Sequence, residues 1–410
     1  MELDKKSQPK HVVLWGAWYG SHNVGDQILL LTIMDILGKT LGRNVSFSVT
    51  TDNPQNIKEY TGHESKWNVR PLHNKRQFPE IVRAISTCDL FVFGGGVPFY
   101  EQPYHLAIMG MLVGIARIAR TPYMTWAVSS QAIHSQYAKA IFKWVLNGAK
   151  ALTYRDEHTR KLFQECAASK PAYLAADSGF CLEPREKEEA WEIIHRAGYQ
   201  SSSRPLVALT PRTLYGHNRD AETHYSVKTP EQSQQEIEFY TVVLDWLWEH
   251  GYQPIFVPMN TFPPDDDRIA ASLIIQAASH GKHAIQIQEQ LLPRLAPAIY
   301  RECSFSVVAR VHGSITSFIG NCPPLMYAFD LKHKGIMESM QLSQYCLSEQ
   351  IATSENASEL LDKFASESAK LRPAMSARLE VLRQEALIPA NLAAQILGDP
   401  KEIAGVEKRP

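Results

Sequence analysis

What the chain lacks removes several function classes. The apolar segment Met109–Ala119 is too short for a bilayer span and is followed by Arg120, so membrane spanning is not expected. No sign of charge dominates: Lys+Arg is 42 and Asp+Glu is 43, a net charge of −1 over 410 residues. That balance provides no global field for nucleic acid, although a local basic pocket stays open. The six cysteines (88, 166, 181, 303, 322 and 346) contain no CxxC pair, which argues against a zinc ribbon or a thioredoxin-type motif. Their scattered use suits reduced thiols in a cytosol. The first ten residues are polar and charged with no apolar stretch behind them, so secretion is not expected. The fifteen histidines form no HExxH, and no GxSxG occurs. No metal site is expected.

What is present is an alternation of short apolar runs and amphipathic stretches. Val12–Trp15, Val45–Thr51, Leu90–Phe93, Met124–Val128 and Ala151–Tyr154 read as strands. Helical patterns fall near Asp26–Leu41 and Tyr137–Ala149. The stretch Pro184–Pro205 is charged and then Ser-rich, and Glu186–Glu192 reads as a solvated helix face. The pattern then restarts, with strands at Leu206–Leu209, Ile255–Val257, Ser306–Ala309 and Leu325–Tyr327. From about Asn356 two helices are expected, the last starting near Met375. The fold class is therefore α/β with parallel sheets, in two wound halves. The domains are placed at 1–200 and 201–345, with C-terminal helices over 346–410. Apolar stretches such as Leu106–Ile115 are either core or interface.

In open α/β sheets ligands sit beyond the carboxyl ends of the strands. The turn after the first strand holds Gly16, Gly20 and Gly25 with Asn23 and Asp26. It is neither GxGxxG nor a Walker loop, so a dinucleotide site is weakly supported and a dehydrogenase is disfavoured. Asp26 either caps the following helix or serves the cleft. Gly94-Gly95-Gly96 ends another strand, followed by Glu101. It is either a tight turn or a loop facing an acceptor. Arg310 ends a strand, and Val311 and His312 open a helix whose N-terminus attracts anions. Arg212 and Lys332 also follow strands. Together these cations predict an anion pocket. Asp265-Asp266-Asp267 reads as a helix start rather than a metal site, because adjacent carboxylates point apart. Trp126 and Gln131 either line a sugar site or belong to the core.

The set Gly20-x-x-Asn23-x-Gly25-Asp26, the triple glycine, Tyr154-Arg155-Asp156, Pro211-Arg212, Arg310-Val311-His312 and Gly320-x-x-Pro323 leading into Tyr327 and Lys332 resembles the polysaccharide pyruvyl transferase family. The resemblance runs from about residue 11 to about 345. Where many relatives have a Gly-rich strand end, this chain reads Ala127-Val128-Ser129-Ser130-Gln131, and Met259-Asn260 stands where a histidine often occurs.

The resemblance implies two Rossmann-like domains in a GT-B-like arrangement with the active site in the interdomain cleft. It implies transfer of pyruvate from phosphoenolpyruvate to a sugar of a cell-surface polysaccharide or exopolysaccharide precursor, giving a cyclic ketal and phosphate. Arg155, Arg212, Arg310, Val311, His312 and Lys332 would bind phosphoenolpyruvate. Asn23, Gly95, Gly96 and Trp126 would face the acceptor. His312 would act as the acid or as the proton donor to phosphate, and Asp26 or Glu101 as base. No cofactor beyond the phosphoenolpyruvate co-substrate is implied. The implied placement is cytoplasmic, with peripheral contact to the inner face of the membrane through a lipid-linked acceptor. The competing reading is a GT-B-type nucleotide-sugar glycosyltransferase.

Overall fold

The structure, a computed structural model, describes residues 9–16, 18–42, 45–51, 53–62, 78–166, 170–200, 204–212, 229–263, 265–329 and 331–398. The chain divides into two compact units. The first comprises Met1–Ser21, Asp26–Cys181 and Arg383–Pro410, and the second His22–Gly25 and Leu182–Leu382.

The first unit is built from β1 (Lys10–Gly16), α1 (Val24–Leu41), β2 (Val45–Val49), α2 (Pro54–Thr61), α3 (Phe78–Thr87), β3 (Leu90–Gly94), α4 (Pro103–Ile118), β4 (Tyr123–Trp126), α5 (Gln136–Gly148), β5 (Leu152–Tyr154), α6 (Glu157–Glu165) and β6 (Ala172–Leu174). Its sheet is parallel, in the order β2-β1-β3-β4. The β5–β6 pair joins β4 through single bridges at Met124–Ala151 and Val128–Tyr154. Alternate strand residues serve opposite faces. Val13, Trp15, Phe91 and Phe93 enter the core shared with α3, α4 and α5. Val12, Leu14, Leu90 and Val92 enter the other, shared with α1. Covering both faces explains why the strands read as continuous apolar runs. The strand order reverses between β1 and β3, where Gly16 and Gly94 face each other in register. A Cβ on Gly16 would lie 1.9 Å from the Gly94 carbonyl oxygen, so this close approach requires glycine.

The second unit follows with α7 (Lys187–Arg196), β7 (Leu206–Thr210), α8 (Pro230–Glu249), β8 (Gln253–Phe256), α9 (Asp267–Ala277), β9 (Ile285–Gln286), α10 (Leu295–Arg301), β10 (Cys303–Val308), α11 (Val311–Ile319), β11 (Pro324–Ala328), α12 (Leu331–Ser339), β12 (Cys346–Ser348) and most of α13 (Ala357–Ala386). Its parallel sheet runs β12-β11-β10-β7-β8-β9. This is the dinucleotide-fold strand order, and it reverses between β7 and β10. Those two strands release Thr210-Pro211-Arg212 and Ala309-Arg310, and Ala309 N–H donates to the Thr210 carbonyl at 2.8 Å.

One expectation is corrected. No helix starts at Met375: α13 runs unbroken for 30 residues through Pro373, and α14 begins at Ile388. The Arg372 guanidinium donates to the carbonyls of Cys303 (3.0 Å) and Ser304 (2.8 Å), and Met375, Leu379 and Leu382 are buried. This tertiary hold outweighs the amide hydrogen that proline lacks. Helix α14 (Ile388–Ile396) buries Ala390, Leu392 and Ala393 in the first unit's core.

Candidate active site

The switch point of the second unit carries a buried ion-pair frame. Arg310, 6% exposed, donates from Nε to Asp267 Oδ1 and Oδ2 at 3.0 and 3.1 Å. Its Nη1 donates to Asp265 Oδ2 at 2.9 Å, and Nη2 to the Asp265 carbonyl (3.0 Å), Asp265 Oδ1 (2.9 Å) and Asp267 Oδ1. Asp267 Oδ2 also accepts from the backbone N–H groups of Met259 (2.9 Å) and Asn260 (3.0 Å). Arg212 reaches Asp265 with longer bonds, 3.3 Å from Nη2 and 3.5 Å from Nε. Its backbone N–H donates to the fully buried Glu236 at 2.6 Å. Each of the three adjacent aspartates has its own task, because Asp266 accepts from Arg268 N–H at 2.9 Å and caps α9.

The electrostatics follow from this packing. Burial pushes the Asp265 carboxyl up, but Arg212 and Arg310 outweigh it and hold the group below the usual carboxylate range. Burial pushes Asp267 up to about 6, against the pull of Arg310 and with the Asp265 charge adding to the rise. Burial disfavours the charge on Arg310, yet the two aspartates outweigh it and raise its pKa. Two of the cations expected to form an anion pocket, Arg212 and Arg310, are thus matched by carboxylates 43 to 53 residues away in sequence.

Arg310 leads directly into α11, and among the described residues no side chain caps that helix. Val311 and His312 are its first two residues, both half-buried. The segment His22–Gly25 packs over this turn. Val24 N–H donates to the Met259 carbonyl at 2.8 Å, and Asn23 forms an antiparallel bridge with Asn260. Asn23 Oδ1 accepts from Gly25 N–H at 2.9 Å, which gives α1 its cap. His22 stacks on Phe262 with ring centres 5.4 Å apart and hydrogen-bonds Gln290. Gly25 lies against His312: a Cβ there would be 2.3 Å from Nδ1 and 2.5 Å from Cγ. The glycine is required by the imidazole, not by a turn.

Lys332 is the second residue of α12 and half-buried. The next residue, His333, is fully buried and donates from Nε2 to the Ala309 carbonyl at 3.1 Å, which fixes the start of α12 beside the β10–α11 turn. His333 also packs on Phe329 at 4.5 Å, and the Arg212 guanidinium lies 5.4 Å from the Phe329 ring centre. The structure therefore brings Arg212, Arg310, Val311, His312, Asn23 and the Lys332 turn to one sheet edge.

The remaining candidates lie in the first unit. Arg155 is ion-paired with the buried Asp177. Asp26 is half-buried in the first turn of α1. Gly95 and Gly96 have φ of +59° and +65°, and Gly95 N–H donates to the Trp126 carbonyl at 3.0 Å. Trp126 itself is fully buried in the core that contains α14 residues. Glu101 Oε1 accepts from the N–H groups of His134 (2.6 Å) and Ser135. Burial raises its pKa, but the hydrogen bonds from Ser135 and His134 together outweigh burial and the net shift is downward.

Sequence reasoning missed Asp265, Asp267 and Glu236 as partners of the arginines. The aspartate run was visible, but its pairing with Arg310 depends on sheet order. It also missed that His22–Gly25 packs over the turn that carries His312.

A family model described as polysaccharide pyruvyl transferase matches residues 23–330. No curated protein matches the chain. Among solved structures, S. aureus MnaA in its co-structure with UDP superimposes with a TM-score of 0.59 at 12% identity, covering 96% of this chain and 98% of that one. UDP-GlcNAc 2-epimerase from Neisseria meningitidis, bound to UDP-GlcNAc, gives 0.56 at 9% identity over 94% and 100%. The α,α-trehalose 6-phosphate synthase from Burkholderia multivorans gives 0.52 at 10% identity over 95% and 98%. These likenesses are of fold, the GT-B type with two Rossmann-like domains.

Proposed function

The chain belongs to the polysaccharide pyruvyl transferase family, and from that premise we propose that it transfers pyruvate from phosphoenolpyruvate to a sugar of a cell-surface glycan precursor, forming a cyclic ketal and releasing phosphate. The observation that carries the donor reading is the start of α11. It lies at the switch point of the second unit, has no side-chain cap among the described residues, and presents His312 in its first turn. A helix start of this kind favours an anion, through its N–H groups and its dipole. Phosphoenolpyruvate carries a carboxylate and a phosphate on three carbons, so it needs several donors close together.

In this reading Arg310 orients the first turn of α11 through its aspartate partners. Arg212, held by the longer bonds, exchanges Asp265 for the donor's anion. Lys332 supplies a further charge. C3 of the enol phosphate takes a proton from His312, C2 gains oxocarbenium character, and a sugar hydroxyl adds there. Phosphate departs from C2, and the neighbouring hydroxyl closes the ketal. Asp26 is the proposed acceptor of the hydroxyl protons, with Glu101 as the alternative; Arg155 is assigned to the donor, and Asn23, Gly95 and Gly96 to the acceptor.

The test incubates the chain with phosphoenolpyruvate and saccharide precursors, following phosphate release and a mass gain of one pyruvate less one water. Both signals together support the reading, and phosphate release without the mass gain contradicts it. A second reading, transfer of a sugar from a nucleotide donor, draws on the UDP and UDP-GlcNAc named for two of the structural neighbours. A hexose mass gain from a UDP-sugar would favour it.

A further inference from the structure

Helices α4 and α5 carry an apolar surface that the core leaves outside. Ile118 is 87% exposed, Tyr137 53% and Trp144 40%. On α4 the positions Ala107, Gly114 and Ile118 recur at helical spacing, exposed or half-buried, with Met111 beside them packing against the core. Tyr137, Ala140 and Trp144 do the same on α5, with Ile141 packing against the core. The two stripes adjoin: a Cβ on Gly114 would meet the Trp144 ring at 3.8 Å. The Arg117 guanidinium lies 4.8 Å from the centre of that ring, and its Nη1 donates to the Trp144 carbonyl at 3.2 Å.

The charge that α4, α5 and their ends carry is one-sided, although Glu165 of α6 pairs with one of their lysines. Between Glu101 and Asp156 the chain has no acidic residue, yet it places Arg117, Arg120, Lys139, Lys143 and Lys150 on α4, α5 and their ends. Lys170 adds another cation, anchored to the Ala149 carbonyl. Lys139 is bridged to Glu165 at 2.8 Å. In a protein of net charge −1 this is a local cationic field around exposed aromatic and aliphatic groups. Among the described residues no helix is long and apolar enough to cross a membrane.

An anionic bilayer surface complements both properties at once. Aliphatic and aromatic side chains enter the headgroup boundary, while Arg and Lys meet the headgroup charge with their stems on apolar surface. We propose that the α4–α5 face docks the protein on a bilayer surface rich in anionic headgroups. The proposal is independent of the donor reading, because none of these residues belongs to the candidate active site.

The experiment co-sediments the full chain with phosphatidylcholine vesicles, with and without a third of phosphatidylglycerol. Binding is expected only with phosphatidylglycerol, weakening as salt rises. It should fall by about tenfold or more in Ile118→Glu/Trp144→Glu and in Arg120→Glu/Lys143→Glu. Brominated acyl chains should quench the tryptophan emission of the wild type, and less so in Trp144→Phe. The Arg120→Glu/Lys143→Glu pair changes only exposed cations, so it tests docking even if the apolar pair folds poorly. Pyruvyl transfer to a water-soluble acceptor should be unchanged in these variants, which separates docking from catalysis. Absence of binding to the anionic vesicles overturns the proposal, as does binding that both double variants retain. A concentration-dependent dimer that Ile118→Glu dissociates, with vesicle binding unaltered, would make the face a contact between copies of the chain instead.

Discussion

Replacing Gly25 by alanine puts a methyl group where the His312 ring lies. The new carbon would stand 2.3 Å from Nδ1, 2.5 Å from Cγ and 2.9 Å from Cβ of His312. Carbon contacts settle at about 3.5–4.0 Å, so the ring must move by about 1 Å. Turning the imidazole about its first side-chain bond leaves the Cβ clash in place. Relief therefore has to come from the backbone of the α11 turn or of Asn23–Gly25. The latter is held by the Val24–Met259 bond (2.8 Å) and the Asn23–Gly25 bond (2.9 Å). Overpacking of this kind costs about 1–3 kcal/mol, and helix propensity returns at most about 1 kcal/mol. A net loss of about 1–2 kcal/mol is expected in urea denaturation. A reacting group misplaced by about 1 Å should lower turnover by up to about a hundredfold. The decisive comparison is a double-mutant cycle with His312→Ala. Removing the ring should relieve at least about 0.5 kcal/mol of the Gly25→Ala cost. Wild-type stability and turnover in Gly25→Ala, or an equal cost with and without the ring, would refute the packing argument.

Three further outcomes are expected. His312→Ala should keep its stability within about 1 kcal/mol, because the side chain is half-buried, while turnover drops by about 10²–10⁴; stopped assays and urea melts on one preparation check both. Arg310→Ala strips Asp265 and Asp267 of a shared cation and should cost about 3–5 kcal/mol, with Arg310→Lys losing less; equal melts for all three proteins would contradict the buried frame. The third concerns His105, whose ring is stacked against Trp15 (5.3 Å) and Tyr100 (4.0 Å), with Nε2 donating to the Pro98 carbonyl at 2.7 Å. Burial pushes its pKa down to about 4 from 6.5, so its contribution to stability is complete above pH 6.5 and is lost as pH falls toward 4. His105→Gln has no such titration. The stability gap between wild type and variant should therefore narrow by about 2 kcal/mol from pH 7 to pH 5; a gap independent of pH would contradict the buried neutral ring.

Much of this architecture is legible in residues. The runs at Val12–Trp15, Leu90–Phe93, Leu206–Leu209 and Ser306–Ala309 are continuous because strands covered on both faces have no polar side to show. The residues after β7 and β10 are legible as candidates because strand ends are where open sheets place ligands. The arginine–aspartate frame is not legible in the same way. Asp265 and Arg310 are 45 residues apart, and only the order β10-β7-β8 makes them neighbours. Pro373 misleads for a related reason: its local cost is visible, while the carbonyls of Cys303 and Ser304 that hold Arg372 lie far away in sequence. The face of α4 and α5 is half legible. Leu106–Ile115 fits both core and interface in the sequence, and the structure buries Leu106, Ile108, Met109, Leu112 and Val113 in the first unit's core.

The donor is most directly tested by calorimetric titration of the intact chain with phosphoenolpyruvate, beside UDP-GlcNAc under the same conditions. Saturable binding of phosphoenolpyruvate is expected, weakened about tenfold to a hundredfold by Lys332→Ala, with no heat from UDP-GlcNAc. Saturable binding of UDP-GlcNAc, with none of phosphoenolpyruvate, would contradict pyruvyl transfer from phosphoenolpyruvate and establish a nucleotide-sugar site in its place.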